Sequence, residues 1–151
     1  MPELRLEELT ASNVEAANRL TLKPGQREFL APETYTHSED QLDPAGSWPR
    51  VIKDGDDVVG YIMGAFDPDA GDEYLRAAIW RIHVAAEAQG SGVGRFAVEA
   101  LADEARRRGF DRVTVVWAAG EGSPEAFFEA VGFQVVGETP YGEKLGALSL
   151  A

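Results

Sequence analysis

Gln89-Gly90-Ser91-Gly92-Val93-Gly94-Arg95 sets three glycines within seven positions, after a run that reads as a strand and before one that reads as a helix. At a helix start several backbone N–H groups lack a helical acceptor, and the positive end of the dipole is exposed. Glycines let a ligand approach that backbone closely and let the chain take conformations other residues resist. Such a concavity suits an anion, above all a phosphate or pyrophosphate. The dinucleotide pattern G-x-G-x-x-G fails from Gly90, where its last position is Arg95. Its G-x-G-x-x-A form is met from Gly92 to Ala97. Context weighs against that form: the glycines should follow a strand directly and open a βαβ half, but residues 85–89 intervene and the motif lies in mid-chain. The Walker pattern needs Gly-Lys-Ser/Thr, which is absent.

Few other residues offer chemistry. There is no cysteine, so disulfides, thiolate metal sites and a cysteine nucleophile are excluded. Of the two histidines, His37 sits in a loop. His83 lies on a strand whose alternation puts Trp80, Ile82 and Val84 on one face and His83 on the other. Glu28, Glu33, Glu39 and Asp40 cluster in the segment from 21 to 45, which suits a cationic substrate or a solvated face. Tyr35 or Trp80 would add a cation–π wall. Arg106–Arg108 fall in the last turn of a helix, where cations favour the negative end of the dipole; they read as structural and not as a nucleic-acid patch.

The elements around these residues read as follows. "LRLEELT" alternates as an edge strand, and Asn13 to Leu20 has helical spacing with Ser12 as its cap. Residues 21–49 carry four prolines and little periodicity. "WPRVIKDGDDVVGYIMGAF" is a hairpin around Asp54-Gly55, and Tyr74–Ala85 alternates as a further strand. Val93, Phe96, Ala97, Ala100 and Leu101 keep helical spacing up to a stop at Gly109. "RVTVVWA" reads as a buried strand and "SPEAFFEAVG" as a short helix capped by Ser123. "FQVVGE" and "EKLGALSL" close the chain as a strand pair. This order predicts an α+β or mixed α/β domain on one central sheet, with residues 1–151 as a single domain.

At 151 residues the chain is long enough to bury a core, and 44% hydrophobic with 26% charged residues is the balance of a folded domain. The formal charge of −12, from 26 acidic and 14 basic residues, repels nucleic acid and anionic membrane and draws cations. "MPELRLEEL" lacks the pattern of a signal peptide and no apolar stretch has the length of a membrane span, so the expectation is a cytoplasmic protein.

Gln89 to Gly94 also matches Q/R-x-x-G-x-G/A, and over nearly its whole length the chain resembles the GNAT superfamily of acyl-CoA-dependent N-acyltransferases. The motif follows "WRIHV", precedes an amphipathic helix, and is followed by "FFEAVGF", which resembles the family's segment ending in Gly-Phe. "PGQREFLAPETYTHSED", "WRIHV" and "GFQVVGETPYGEKLGALSL" look like the bacterial polyamine and small-amine acetyltransferases. The resemblance implies a mostly antiparallel sheet whose neighbouring strands splay apart at the acyl-CoA site. It implies that Gln89, Gly90, Ser91, Gly92, Val93 and Gly94 bind the pyrophosphate of acetyl-CoA, with Arg95 adding a charge. Ile82, His83 and Val84 would offer backbone groups to pantetheine, joined by Ser123 and Phe127. The acetyl carbonyl would sit at the Val84 backbone. Glu33, Tyr35 and Trp80 would meet the acceptor, and no metal is implied.

The implied mechanism is direct attack by a primary amine, such as a polyamine, on the thioester. The family's usual proton donor is a tyrosine at the position of Phe128, which leaves Tyr141 as the substitute acid. The frequent asparagine of that segment has no counterpart. The base is water or an acid of the 21–45 segment. Protein N-termini, lysines, amine-bearing antibiotics, or a sensor that binds acyl-CoA without turnover remain as alternatives. Pairing of the final strands would make a homodimer.

Overall fold

A computed structural model describes residues 4–13, 15, 46–70, 76–84, 92–118, 125–139 and 142–150. Seven strands form one sheet: β1 (Leu4–Glu8), β2 (Ser47–Asp54), β3 (Asp57–Phe66), β4 (Ala77–Val84), β5 (Arg112–Trp117), β6 (Gln134–Glu138) and β7 (Lys144–Ser149). Among the described residues, two helices are given in full, α1 (Val93–Arg107) and α2 (Glu125–Ala130). The spatial order is β1-β2-β3-β4-β5-β7-β6. Every neighbouring pair is antiparallel except β4–β5, which is parallel and bridged by α1. The expected α+β fold with a mostly antiparallel sheet is therefore the one observed.

Local chemistry explains most of the boundaries. Gly55, at φ +64°, takes the left-handed position of the β2–β3 turn, as the Asp-Gly pair foretells. Gly109, at φ +89°, ends α1, with its N–H bonded to the Arg106 carbonyl. β1 is an edge strand, as its alternation indicates. After it, the Asn13 side chain ties a turn by accepting from the Thr10 N–H at 2.8 Å and donating to the Glu8 carbonyl at 2.9 Å. The helix expected up to Leu20 falls almost wholly outside the described residues.

Both helices pack on one face of the sheet. α1 buries Val93, Ala97, Val98, Leu101, Ala102 and Ala105, which join Ile52, Ile62 and Ile79 from the strands in the main core. α2 adds Phe128, which stacks on Trp117 of β5. The opposite face carries a smaller cluster of Ala65, Trp80 and Val116, with Met63, Ala70 and Leu145 against it. Among the described residues no helix is long and apolar enough to cross a membrane.

One irregularity decides which side chains share a face. Met63 pairs with Arg81 and Gly64 with Ile79, so Trp80 is an extra residue in β4. Strict alternation places Trp80 with Ile82 and Val84, and the bulge corrects this. Ile79, Ile82 and Val84 face the helices, whereas Trp80 lies in the cluster on the other side. His83 is cross-strand from Tyr61, its ring 5.8 Å away, on that same second face.

Candidate active site

The register between β4 and β5 holds only Ala78↔Thr114 and Ile79↔Val115. Beyond it β4 runs on from Trp80 to Val84 and β5 from Val116 to Trp117 without pairing to each other. The two central strands thus separate toward their C-terminal ends. A gap there leaves backbone groups for an extended, amide-bearing ligand, much as a sheet edge does.

The N-terminus of α1 stands beside that gap. Gly92 is its N-cap at φ +90° and ψ 3°, with no side-chain cap and no acid in the first turn. The N–H groups of Val93, Gly94 and Arg95 precede the first intrahelical bond, from the Phe96 N–H to the Gly92 carbonyl at 3.0 Å. A Cβ on Gly92 would meet nothing within 4 Å, so this glycine answers to backbone conformation and not to crowding. The turn is open on its outer side, with its amides and its dipole both favouring an anion.

Packing fixes where this terminus points. A Cβ on Gly60 of β3 would lie 2.9 Å from Val93 Cγ1 and 3.3 Å from the His83 carbonyl. A Cβ on Gly94 would lie 2.8 Å from Phe127 Cε1 and 3.7 Å from Val84 Cγ2. Two glycines therefore bring the first turn of α1 down onto β3, the end of β4 and α2. Arg95 donates to the Ala130 carbonyl at the end of α2 at 3.0 Å and stands 3.9 Å from Glu99. Its guanidinium is half exposed at the rim.

Of the residues expected to bind acetyl-CoA, Ile82, Val84, Gly92, Val93, Gly94, Arg95 and Phe127 surround this one corner. His83 is on the reverse face of β4. Gln89, Gly90, Ser91, Ser123, Tyr141, Glu33 and Tyr35 lie outside the described residues. The Trp80 ring is buried, at 3% exposure, among Ala65 and Val116, which makes it core and not an open aromatic wall. Phe128 is also core, 3% exposed, with its ring 5.3 Å from Trp117 and edge-on to Phe127 and Phe133.

Sequence reasoning missed Tyr61. Burial raises its phenol above the usual range, opposed by the charge of Arg81. Tyr61, Arg81 and His83 share the second face of the splayed strand end. Hairpin register alone would have paired Tyr61 with His83, had the bulge at Trp80 been visible. No group of three or more His, Asp or Glu among the described residues could hold a metal ion.

A family model described as "Acetyltransferase (GNAT) family" matches residues 13–133. The chain belongs to the GNAT acetyltransferase family. Its chemistry is acetyl-CoA-dependent N-acetylation. No curated protein matches the sequence. Among solved structures, the ribosomal-protein-S18-alanine N-acetyltransferase of Escherichia coli superposes at TM-score 0.69 with 17% identity, covering 99% of this chain and 95% of that one. An acetyltransferase from Thermus thermophilus gives 0.71 and 22%, covering 99% of each. The N-acetylglutamate synthase of Neisseria gonorrhoeae, complexed with coenzyme A and N-acetyl-glutamate, gives 0.72 and 14%, covering 100% of this chain and 36% of that one. At these identities the likeness is one of fold. The GNAT assignment fits the local geometry: acetyl-CoA needs an anion cradle beside a strand gap, and the uncapped Gly92 turn stands beside the end of β4.

Proposed function

We propose that this GNAT enzyme transfers acetyl from acetyl-CoA directly to a primary amine, a small cationic one such as a polyamine. The observation that carries the reading is the adjacency of the β4–β5 gap to the uncapped N-terminus of α1. The first-turn amides of α1 and the dipole behind them hold the pyrophosphate, with Arg95 at the rim. The main chain of Ile82 to Val84 receives the pantetheine amides, and a donor at Val84 stabilises charge developing on the acyl oxygen. The amine approaches from the second face, where His83 and Tyr61 stand. His83 or a water takes its proton. The net charge of −12 favours a cationic acceptor over an anionic one.

A second reading is favoured by one residue. Phe128 stands where the family's resemblance expects a hydroxyl, so a domain that binds acetyl-CoA without turnover is the rival. Release of free CoA from acetyl-CoA separates the two, measured against spermidine, spermine, diamines, aminoglycosides, amino acids and peptides. Release with polyamines alone supports the proposal, and release with another class replaces the acceptor. Tight binding without release from any acceptor supports the sensor.

A further inference from the structure

Helix α2 has six residues, too few to be held by its own hydrogen bonds, and its last turn carries no basic side chain. Its position therefore depends on what caps it and what packs on it. The last carbonyls of a helix have no helical partner. Those of α2 are met mostly from the residues that follow. The Val131 N–H donates to the Phe127 carbonyl at 3.2 Å, the Phe133 N–H to that of Phe128 at 2.9 Å, and the Gly132 N–H to that of Glu129 at 3.1 Å. The Ala130 carbonyl accepts instead from Arg95 Nη2 at 3.0 Å, from 35 residues earlier in the chain. A side chain of the first turn of α1 thus completes the cap of α2.

The guanidinium stands at the negative end of the α2 dipole, where a cation is favoured. An apolar contact lies beside this polar one. A Cβ on Gly94 would stand 2.8 Å from Phe127 Cε1 and 3.7 Å from Val84 Cγ2, so Phe127 and the end of β4 close on the same glycine. Gly94 and Arg95 are consecutive. Between them they hold α2 at two points, Phe127 by its ring and Ala130 by its carbonyl.

We infer that Arg95 is a positioning residue for acyl-donor binding, whose guanidinium fastens the end of α2 and so sets Phe127 beside the end of β4. The inference rests on the acyltransferase reading above. It goes beyond the charge that Arg95 lends to the phosphates, because the tie acts on the pantetheine side of the ligand. A guanidinium carries several N–H donors in a rigid fork, so it can keep the Ala130 carbonyl and still meet an anion.

Arg95→Met keeps the stem of a half-exposed side chain and removes the fork. Calorimetry compares coenzyme A with adenosine 3′-phosphate 5′-diphosphate, which carries the same phosphates without pantetheine. Loss of the charge weakens both. The expected result is a further loss of about three- to tenfold for coenzyme A alone, the worth of one hydrogen bond. Amide exchange at Val131 and Phe133, which close the end of α2, should also quicken in the variant. Equal losses for both ligands would reduce Arg95 to a phosphate contact and overturn the inference, as would no loss for either or unchanged exchange. If the variant does not fold, exchange in the wild type decides. Coenzyme A should slow Val131 and Phe133 more than the diphosphate does, and equal slowing overturns the inference. A wild-type protein that binds neither ligand would remove the acyltransferase reading itself.

Discussion

A Cβ built on Gly94 would stand 2.8 Å from Cε1 of Phe127, so the first turn of α1 and helix α2 meet at a spacing that only glycine allows. Two effects oppose each other in Gly94→Ala. Alanine gains about 1 kcal/mol of helix propensity, while overpacking costs about 1–3 kcal/mol. The Phe127 ring is itself wedged edge-on against Phe128, so it has little room to yield. We expect a net loss of stability of about 1 kcal/mol by urea denaturation, the balance of those terms. The displaced first turn should also weaken acetyl-CoA binding. A variant as stable and as tightly binding as wild type would show that the contact relaxes freely.

Gly92 tests the cradle differently. With φ at +90° and open space around it, its replacement by glutamate brings both backbone strain and a carboxylate at the anion site. Gly92→Glu should abolish acetyl-CoA binding, while Gly92→Asn, whose side chain tolerates the left-handed region better, should keep most of it. Unchanged affinity of the glutamate variant in calorimetry would remove the anion site from this turn.

Phe128 is expected to separate packing from proton donation. Phe128→Ala empties a site bounded by Trp117, Phe127 and Phe133 and should cost about 3–5 kcal/mol in chemical denaturation. Phe128→Tyr keeps the ring and should not lower turnover with a good acceptor. A large fall in its rate, with stability intact, would mean that the phenylalanine has a packing role that the family resemblance does not capture.

Glu104 gives a pH signature away from the site. It accepts from Arg108 at 2.8 Å and from Arg107 at 2.7 Å. The hydrogen bond from Arg108 is the largest effect and holds its carboxyl below the usual range; burial opposes it, and the hydrogen bond from Arg107 adds to the lowering. A carboxylate lowered in the folded state stabilises at pH above its unfolded value, and that contribution fades as pH falls through the folded one. Glu104→Gln should therefore cost up to about 1 kcal/mol near neutrality, with the difference from wild type closing below about pH 4. Melting curves across pH would check this; a constant difference down to about pH 2, well below the usual carboxylate range, would point to packing instead of charge.

What could be read in advance followed local rules. The Asp54-Gly55 turn, the α1 stripe ending at Gly109 and the glycines from Gly90 to Gly94 each show in a few adjacent residues, because φ preferences and helical spacing are local. The bulge at Trp80 was not legible: a period of two carries no mark of the one residue that breaks it, and that residue exchanged faces. Nor was the insertion of β7 between β5 and β6, since pairing order depends on contacts far apart in the chain. Gly94 was read as part of an anion site, and its packing against Phe127 needed the tertiary arrangement.

The position of β7 has a consequence for how the chain acquires its shape. β1 to β4 are successive neighbours and can zip together in the order in which they are made. β5 and β6 cannot close onto each other, because the strand that joins them is Lys144–Ser149. Just beyond it, the Leu150 N–H bonds to the Asp111 carbonyl at 2.9 Å, and Arg106 Nε reaches the Leu150 carbonyl at 3.4 Å. During synthesis the half bearing Trp117 and Phe128 therefore waits for Lys144 to Leu150 to emerge, with an open strand edge exposed meanwhile. Truncation before Lys144, or delay in making β7, should leave a nascent chain whose first four strands are paired and whose β5 has an open edge.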